Sequence, residues 1–360
     1  MKRPNGQGSI YFEKAKNRYA ASFVTPEGKR VVKRFHTKEE AENWLEDNRY
    51  KIRHNTFVSP NTIKTGAWII QYVETYKKNV RPSTMNLYIS TMKQIDPIAN
   101  IPLQKLTGLD VQSFINSLTG KISASYIKKV YQLLNMAIKK AVALGILQKN
   151  PLTTVERPKV ITKKIQVFTI DEIHNILEYT QEKQKRLHME ILVGVYTGMR
   201  IGEILSLSWS DITPSYIIVN KTLSAGLHGE LFIQRAPKTD SSCRQISIPS
   251  SLYETLMEYK EKTHTHDGLV FKTSTGHYVV PCNDRIAFRK VQSALNISPL
   301  RSWHALRHTH ASQLLANNVP IAEVAKRLGH ASPAITLQIY TQWIPGNDEK
   351  VALDVDKIFK

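Results

Sequence analysis

Near residue 60 the hydrophobic period of this chain changes, and that change limits what it can fold into. Before it, "GSIYFE", "RYAASFVT" and "KRVVKRFH" are short aromatic or β-branched runs, joined by Lys14–Asn17 and by Pro26-Glu27-Gly28. Runs of that kind between turn residues predict a three-stranded antiparallel meander. "HTKEEAENWLEDNRYKIR" then starts a helix, with Thr37 and Glu40 as a capping box and Ala41, Trp44 and Leu45 as its apolar stripe. After residue 62 the apolar spacing turns helical. "IKTGAWIIQYVETYKKNV", "RPSTMNLYISTMKQI", "TGLDVQSFINSLT" and "SASYIKKVYQLLNMAIKKAVALG" predict four helices. Ser123 or Ser125 caps the last of these, and Gly145 follows its end.

A third pattern begins after the stretch "NPLTTVERPKVITKKIQVFT". Thr169 and Glu172 form another capping box, and "LHMEILVGVYTG" carries a second helix. "SYIIVNKTLS", "GELFIQRA" and "CRQISIP" predict a three-stranded sheet, and helices run from there to the end. The expected fold class is therefore α+β and multidomain. It comprises a small sheet plus helix (1–60), a helical domain (62–157), a basic linker (158–168) and a mostly α domain with a small antiparallel sheet (169–360).

Fifty Lys and Arg stand against thirty Asp and Glu, a net charge of +20. A polyanion is the partner such a surface suits, nucleic acid being the commonest and an anionic membrane surface the other option. Residues 1–60 hold thirteen basic and seven acidic side chains, and residues 62–157 hold thirteen and four. Lys128, Lys129, Lys139 and Lys140 place two pairs on one face of the last helix of the second segment, and Lys159, Lys163 and Lys164 lie in the linker. These seven are the candidate phosphate contacts. The start has no secretory pattern, and no apolar stretch is long enough to span a bilayer. Cys243 and Cys282 are too few for a disulfide framework or a metal motif, and read as buried or half-exposed thiols in a reducing cytosol.

Chemistry-bearing residues concentrate in the third segment. In "YTGMRIGEILSLSWSDI", Arg200 and Glu203 sit one turn apart, either as a surface pair or as an arginine aimed at a phosphate by a carboxylate. Lys238 lies in a turn between two strands, as a hairpin lysine or a mobile proton donor. "SWHALRHTHAS" shows His304 and Arg307 on one helix face. His304 and His308 also form H-x-x-x-H, but a zinc pair is rejected: there is no HExxH glutamate or third ligand, and Arg307 would repel a cation. His308 and His310 are expected to be locally satisfied histidines. In "LGHASPAITLQIYTQ", His330 follows a helix end and Tyr340 is either a packed aromatic or a nucleophile.

Taken in order, "TGMRIGE", "HALRHTHAS", "LGHAS" and "IY" resemble the tyrosine recombinase, or phage integrase, family. The likeness extends to integrases of temperate phages and conjugative transposons, whose arm-binding and core-binding domains the first two segments match by architecture. It implies a DNA recombinase that integrates or excises a mobile element through a 3′-phosphotyrosine. In that reading Tyr340 is the nucleophile, Arg200 and Arg307 clamp the phosphate with His330, Lys238 protonates the leaving 5′-oxygen, His304 is the general base and Glu203 supports. No cofactor and no metal are implied, and no phosphate-binding loop for ATP is present. The expected partners are double-stranded attachment sites, a homotetramer on DNA, an excision-directing factor and a host DNA-bending protein, in the cytoplasm of a bacterial host. The tail "GNDEKVALDVDKIFK" has an amphipathic pattern (Val351, Val355, Ile358, Phe359) that suits docking on a neighbouring protomer or in cis. A type IB topoisomerase-like enzyme and a non-catalytic DNA-binding protein are the alternative readings.

Overall fold

The structure is a computed structural model describing residues 8–54, 57–161, 165–235, 243–264, 267–341 and residue 355. The chain forms two compact units, 1–161 and 162–360.

In the first unit, β1 (Ser9–Glu13), β2 (Arg18–Val24) and β3 (Arg30–Phe35) make an antiparallel sheet in that order. Asn17 (φ 48°) and Gly28 (φ 79°) take the left-handed conformations that close the two turns. Helix α1 (Lys38–Arg53) begins at Thr37, whose hydroxyl accepts from the Glu40 N–H while the Glu40 carboxylate accepts from the Thr37 N–H. Ala41 and Leu45 are buried, and the Trp44 ring lies 5.3 Å from Phe23 and 5.6 Å from Phe35.

Helices α2 (Thr65–Tyr76), α3 (Pro82–Lys93), α4 (Asp96–Ala99), α5 (Gly108–Leu118) and α6 (Ala124–Ala143) share a second apolar centre. Ser123 provides the cap of α6. Its buried face of Ile127, Val130, Tyr131, Leu134, Ala137 and Ile138 follows from apolar residues recurring at three- and four-residue steps. The buried Trp68 indole donates to the Ala137 carbonyl at 2.9 Å, tying α2 to α6. Lys128, Lys129 and Lys139 are exposed, whereas Lys140 is half-buried with its ammonium 4.5 Å from the Tyr76 ring centre.

The second unit is organised by α8 (Lys185–Thr197), against which α7 (Ile170–Lys183), α9 (Ile201–Ile204), α10 (Ser250–Thr263), α11 (Pro281–Ala294) and α12 (His304–Ala316) all pack. Helices α13 (Ile321–Leu328) and α14 (Pro333–Tyr340) follow. The expected three-stranded sheet is instead two ladders. Strand β4 (Tyr216–Val219) pairs with β7 (Arg244–Ser247), and β5 (Lys221–Ala225) pairs with β6 (Leu231–Arg235). The run "SYIIVNKTLS" breaks at Asn220 because its second half follows α9. A Cβ on Gly202 of α9 would fall 2.6 Å from Thr222 Oγ1 and 2.9 Å from the Leu223 carbonyl oxygen, so this packing needs glycine. Both cysteines are exposed, not buried or half-exposed, since each lies at the solvent edge of an element start. Among the described residues no helix is long and apolar enough to cross a membrane.

Candidate active site

Two helix ends meet in the second unit. Helix α8 stops at Gly198 (φ 67°) and α13 stops at Gly329 (φ 69°), both in the left-handed conformation. The last carbonyls of a helix lack intrahelical donors and carry partial negative charge. Arginines supply the donors here. Arg307, 2% exposed on α12, gives Nη1 to the Gly198 carbonyl at 2.9 Å and Nη2 to the Leu328 carbonyl at 2.7 Å. Arg327 reaches the Tyr196 carbonyl at 2.8 Å, and Arg244 Nε reaches the Arg327 carbonyl at 2.9 Å. Burial, and after it the charge of Arg200, lowers the Arg307 guanidinium to about 9.

Arg200 begins α9 directly after the end of α8, and Glu203 lies one turn on. Glu203 Oε1 accepts from Arg200 Nη1 at 2.8 Å, and Oε2 from the Arg200 backbone N–H at 2.9 Å. Arg244 of β7 holds the same carboxylate, with Nη2 to Oε2 at 2.8 Å and Nη1 to Oε1 at 3.3 Å. Burial alone would raise the Glu203 carboxyl; the hydrogen bond and charge of Arg244, then Arg200, overcome it and hold it at about 2. Arg200 itself remains exposed. Thus Glu203 bridges an exposed arginine and a buried one. Gly329 leaves room for this, since a Cβ there would lie 3.0 Å from Arg244 Nη1.

Arg244 was not among the sequence candidates. The signal available was its phase: along β7 the buried positions alternate, and Arg244 shares the inward face with Ile246. A charge in register with a core isoleucine needs a buried counter-charge.

Tyr340 ends α14 and is 1% exposed, and its hydroxyl lies 2.7 Å from His308 Nδ1. Burial pushes the phenol up to about 12, against the pull of Arg307. This corrects the expectation for two histidines. His304, expected beside the tyrosine, stacks edge-to-face on His308 with ring centres 4.7 Å apart and opens toward Arg200. His308, expected to be only locally satisfied, makes the contact to the hydroxyl. The helical repeat explains the exchange: His304 and His308 are i,i+4 on one stripe of α12, and α14 docks beside the later turn. His310 is satisfied locally, with Nδ1 2.7 Å from the Val195 carbonyl and Nε2 accepting from Arg327 Nε at 3.1 Å.

His330 caps α13 through its backbone N–H to the Ala325 carbonyl, and its Nδ1 sits 2.7 Å from Thr336 Oγ1. The segment between His330 and Tyr340 is a turn into α14, with Ser332 as cap and Pro333 at the first position. Desolvation, then neighbouring positive charge, lowers His304, His308, His310 and His330 to about 4, so all four are neutral near pH 7. The second unit therefore brings Arg200, Glu203, His304, Arg307, His330 and Tyr340 together around the ends of α8 and α13. Lys238, Lys163, Lys164 and the tail's Val351, Ile358 and Phe359 lie outside the described residues. Lys159 is exposed in an irregular stretch. No three His, Cys, Asp or Glu side chains among the described residues are grouped to hold a metal ion.

Residues 166–344 match the family model of the phage integrase family, and residues 66–119 match that of the phage integrase N-terminal SAM-like domain. A tyrosine recombinase XerC-like protein of Caldanaerobacter subterraneus subsp. tengcongensis is 28% identical, over 92% of this chain and 93% of its own length. The Tn1549 transposon integrase, solved with a circular intermediate DNA, superposes with a TM-score of 0.70 at 17% identity, covering 82% of this chain and 99% of that one. A lambda integrase tetramer bound to a Holliday junction superposes at 0.63 with 18% identity, covering 96% of this chain and 97% of that one. At those identities the two structures speak for the fold.

Proposed function

Because the chain belongs to the phage integrase family of tyrosine recombinases, we propose that it is a site-specific DNA recombinase, integrating or excising a mobile element through Tyr340. The observation that carries this reading is the grouping of Arg200, Arg307, His330 and Tyr340 around two helix ends, from positions 140 residues apart in sequence.

The reaction is a transesterification. Tyr340 Oη bonds to the scissile phosphorus, the bond to the 5′-oxygen breaks, and a 3′-phosphotyrosine remains. Attack by a partner strand's 5′-hydroxyl reverses the step, so one ester replaces another and no nucleotide hydrolysis is required. Negative charge grows on the non-bridging oxygens in the transition state, where fixed cationic donors act most strongly. Arg200 supplies a planar fork whose back is held by Glu203. Arg307 supplies the N–H groups that its two carbonyl partners leave over, and His330 donates from the ring edge opposite Thr336. His308, neutral and in contact with the hydroxyl, is placed to take the phenolic proton, and His304 faces the phosphate side. The general base, which the family resemblance puts on His304, is therefore proposed to be His308, on the strength of its contact with the Tyr340 hydroxyl. Lys238 is proposed to protonate the leaving oxygen, as the resemblance implies.

Arg200 and Arg307 each contribute about 3–4 kcal/mol by analogy with the loss of one preorganised donor. Exposed Lys128, Lys129 and Lys139, with the linker lysines Lys159, Lys163 and Lys164, are proposed phosphate contacts; Lys140 contributes less because it is engaged over Tyr76. Cutting both strands at two sites requires four nucleophiles, so a homotetramer on DNA is proposed, with the tail docking between protomers and with an excision factor and a bending protein as accessory partners.

The test is covalent trapping on a nicked attachment-site duplex, with the attached residue mapped by peptide mass spectrometry. The adduct is expected on Tyr340, and Tyr340→Phe should abolish it without weakening DNA binding. An adduct that survives this substitution would refute the assignment. Strand exchange between two attachment-site duplexes then separates recombination from one-strand relaxation.

A further inference from the structure

A cleft of about 410 Å³ lies beside the proposed phosphate clamp, lined by Arg200, Arg285, Arg289, Ser302, Trp303 and His304 among others. No acidic side chain lines it. Two of its arginines come from α11, which is anchored firmly. Asp284 is 1% exposed and accepts from Arg186 Nη2 of α8 at 2.9 Å. Phe288 is buried edge-on against Phe168 at 5.7 Å and Trp303 at 5.2 Å. With Asp284 and Phe288 turned inward, Arg285 and Arg289 stand exposed one turn apart, about 6 Å along the helix axis.

Arg186, Arg200, Arg244, Arg301, Arg307 and Arg327 each hold a carboxylate or a carbonyl. Arg285 and Arg289 hold neither among the described residues. Trp303, 5% exposed, also lines the cleft and packs on Phe288.

We propose that this cleft is a second phosphate site, in which Arg285 and Arg289 each take one phosphate adjoining the scissile one on the same DNA strand. Their spacing along α11 suits successive phosphates. Binding there sets the register of the strand, so that the scissile phosphate falls on Arg200 and Arg307. The inference rests on the recombinase reading, and it adds two residues that position DNA without joining the chemistry.

The full-length chain is tested by fluorescence anisotropy on a random-sequence duplex across a sodium chloride series, in parallel with trapping on the nicked attachment-site duplex. Arg285→Gln/Arg289→Gln should reduce the slope of log affinity against log salt by about two. Its thermal midpoint should stay unchanged, because both side chains are exposed. Arg285→Lys/Arg289→Lys should restore the slope, which a purely structural role would not do. Lys183→Gln/Lys262→Gln, an equal charge loss elsewhere on the unit, should leave it unchanged. A slope unaffected in Arg285→Gln/Arg289→Gln, or lost equally in the Lys183/Lys262 pair, overturns the site. A wild-type chain that forms no adduct removes the recombinase reading instead, and with it the placement beside a scissile phosphate.

Discussion

Replacing Glu203 with glutamine removes one charge from a side chain that two arginines share, and the structure sets the size of the effect. The carboxyl sits at about 2 instead of 4.5, so its ionised form is favoured by about 3 kcal/mol, at about 1.36 kcal/mol per pH unit. Glu203 is only 8% exposed, so solvent screens little of this. Glutamine keeps the shape but turns an N–H donor toward guanidinium donors, leaving Arg244 buried without its counter-charge. Loss of one partner of a buried pair costs about 3–5 kcal/mol in general, which agrees. For a unit of this size the melting temperature should fall by roughly 6–12 °C. Arg200 also loses its anchor, and adduct formation should slow on the order of a hundredfold, as expected for a misplaced catalytic group. The deficit carries a pH signature. A carboxyl depressed in the folded state contributes stability above its unfolded value of about 4.5 and loses it as pH falls toward 2. Thermal unfolding of wild type and Glu203→Gln, followed from neutral pH downward, should therefore converge below about pH 4.5. A constant gap across that range would mean that packing, not charge, sets the cost, and an unchanged melting temperature would refute the shared-carboxylate argument outright.

Two further perturbations follow from the helix ends. Gly198→Ala places a Cβ at φ 67°, 2.7 Å from His310 Cδ2 and 2.8 Å from Leu328 Cδ2, so equilibrium unfolding should show a loss of about 2–4 kcal/mol; a loss under about 0.5 kcal/mol would show that the neighbours yield. His310 is lowered from 6.5 to about 4, first by burial and then by Arg327. A folded-state pKa below the unfolded one contributes stability above about pH 6.5 that disappears as pH falls through 4, so stability should decline across that window. His310→Gln should make the decline shallower, by up to about 3 kcal/mol, and an equally steep profile would mean that other groups set it.

Local sequence determined what depends on local forces. The capping boxes at Thr37–Glu40 and Thr169–Glu172, the Ser123 cap of α6 and the glycine Gly145 after its end rest on contacts within a few residues, so spacing alone revealed them. The order of Arg200, His304, Arg307, His330 and Tyr340 was legible for a different reason: the chemistry demands those side chains, and their short motifs keep each one's local setting. Tertiary structure decided which groups touch. Nothing near Arg244 in sequence indicates that it shares Glu203 with Arg200, because the carboxylate is 41 residues away and burial selects the pairing. Whether His304 or His308 meets Tyr340 depends on where α14 docks along α12, a packing outcome over more than thirty residues. The split of the run at Asn220 depends on α9 lying against β5. Periodicity specifies which face of an element is apolar, but only the packed core specifies which element covers it, and in this chain that choice placed the arginines, the histidines and the tyrosine around two helix ends.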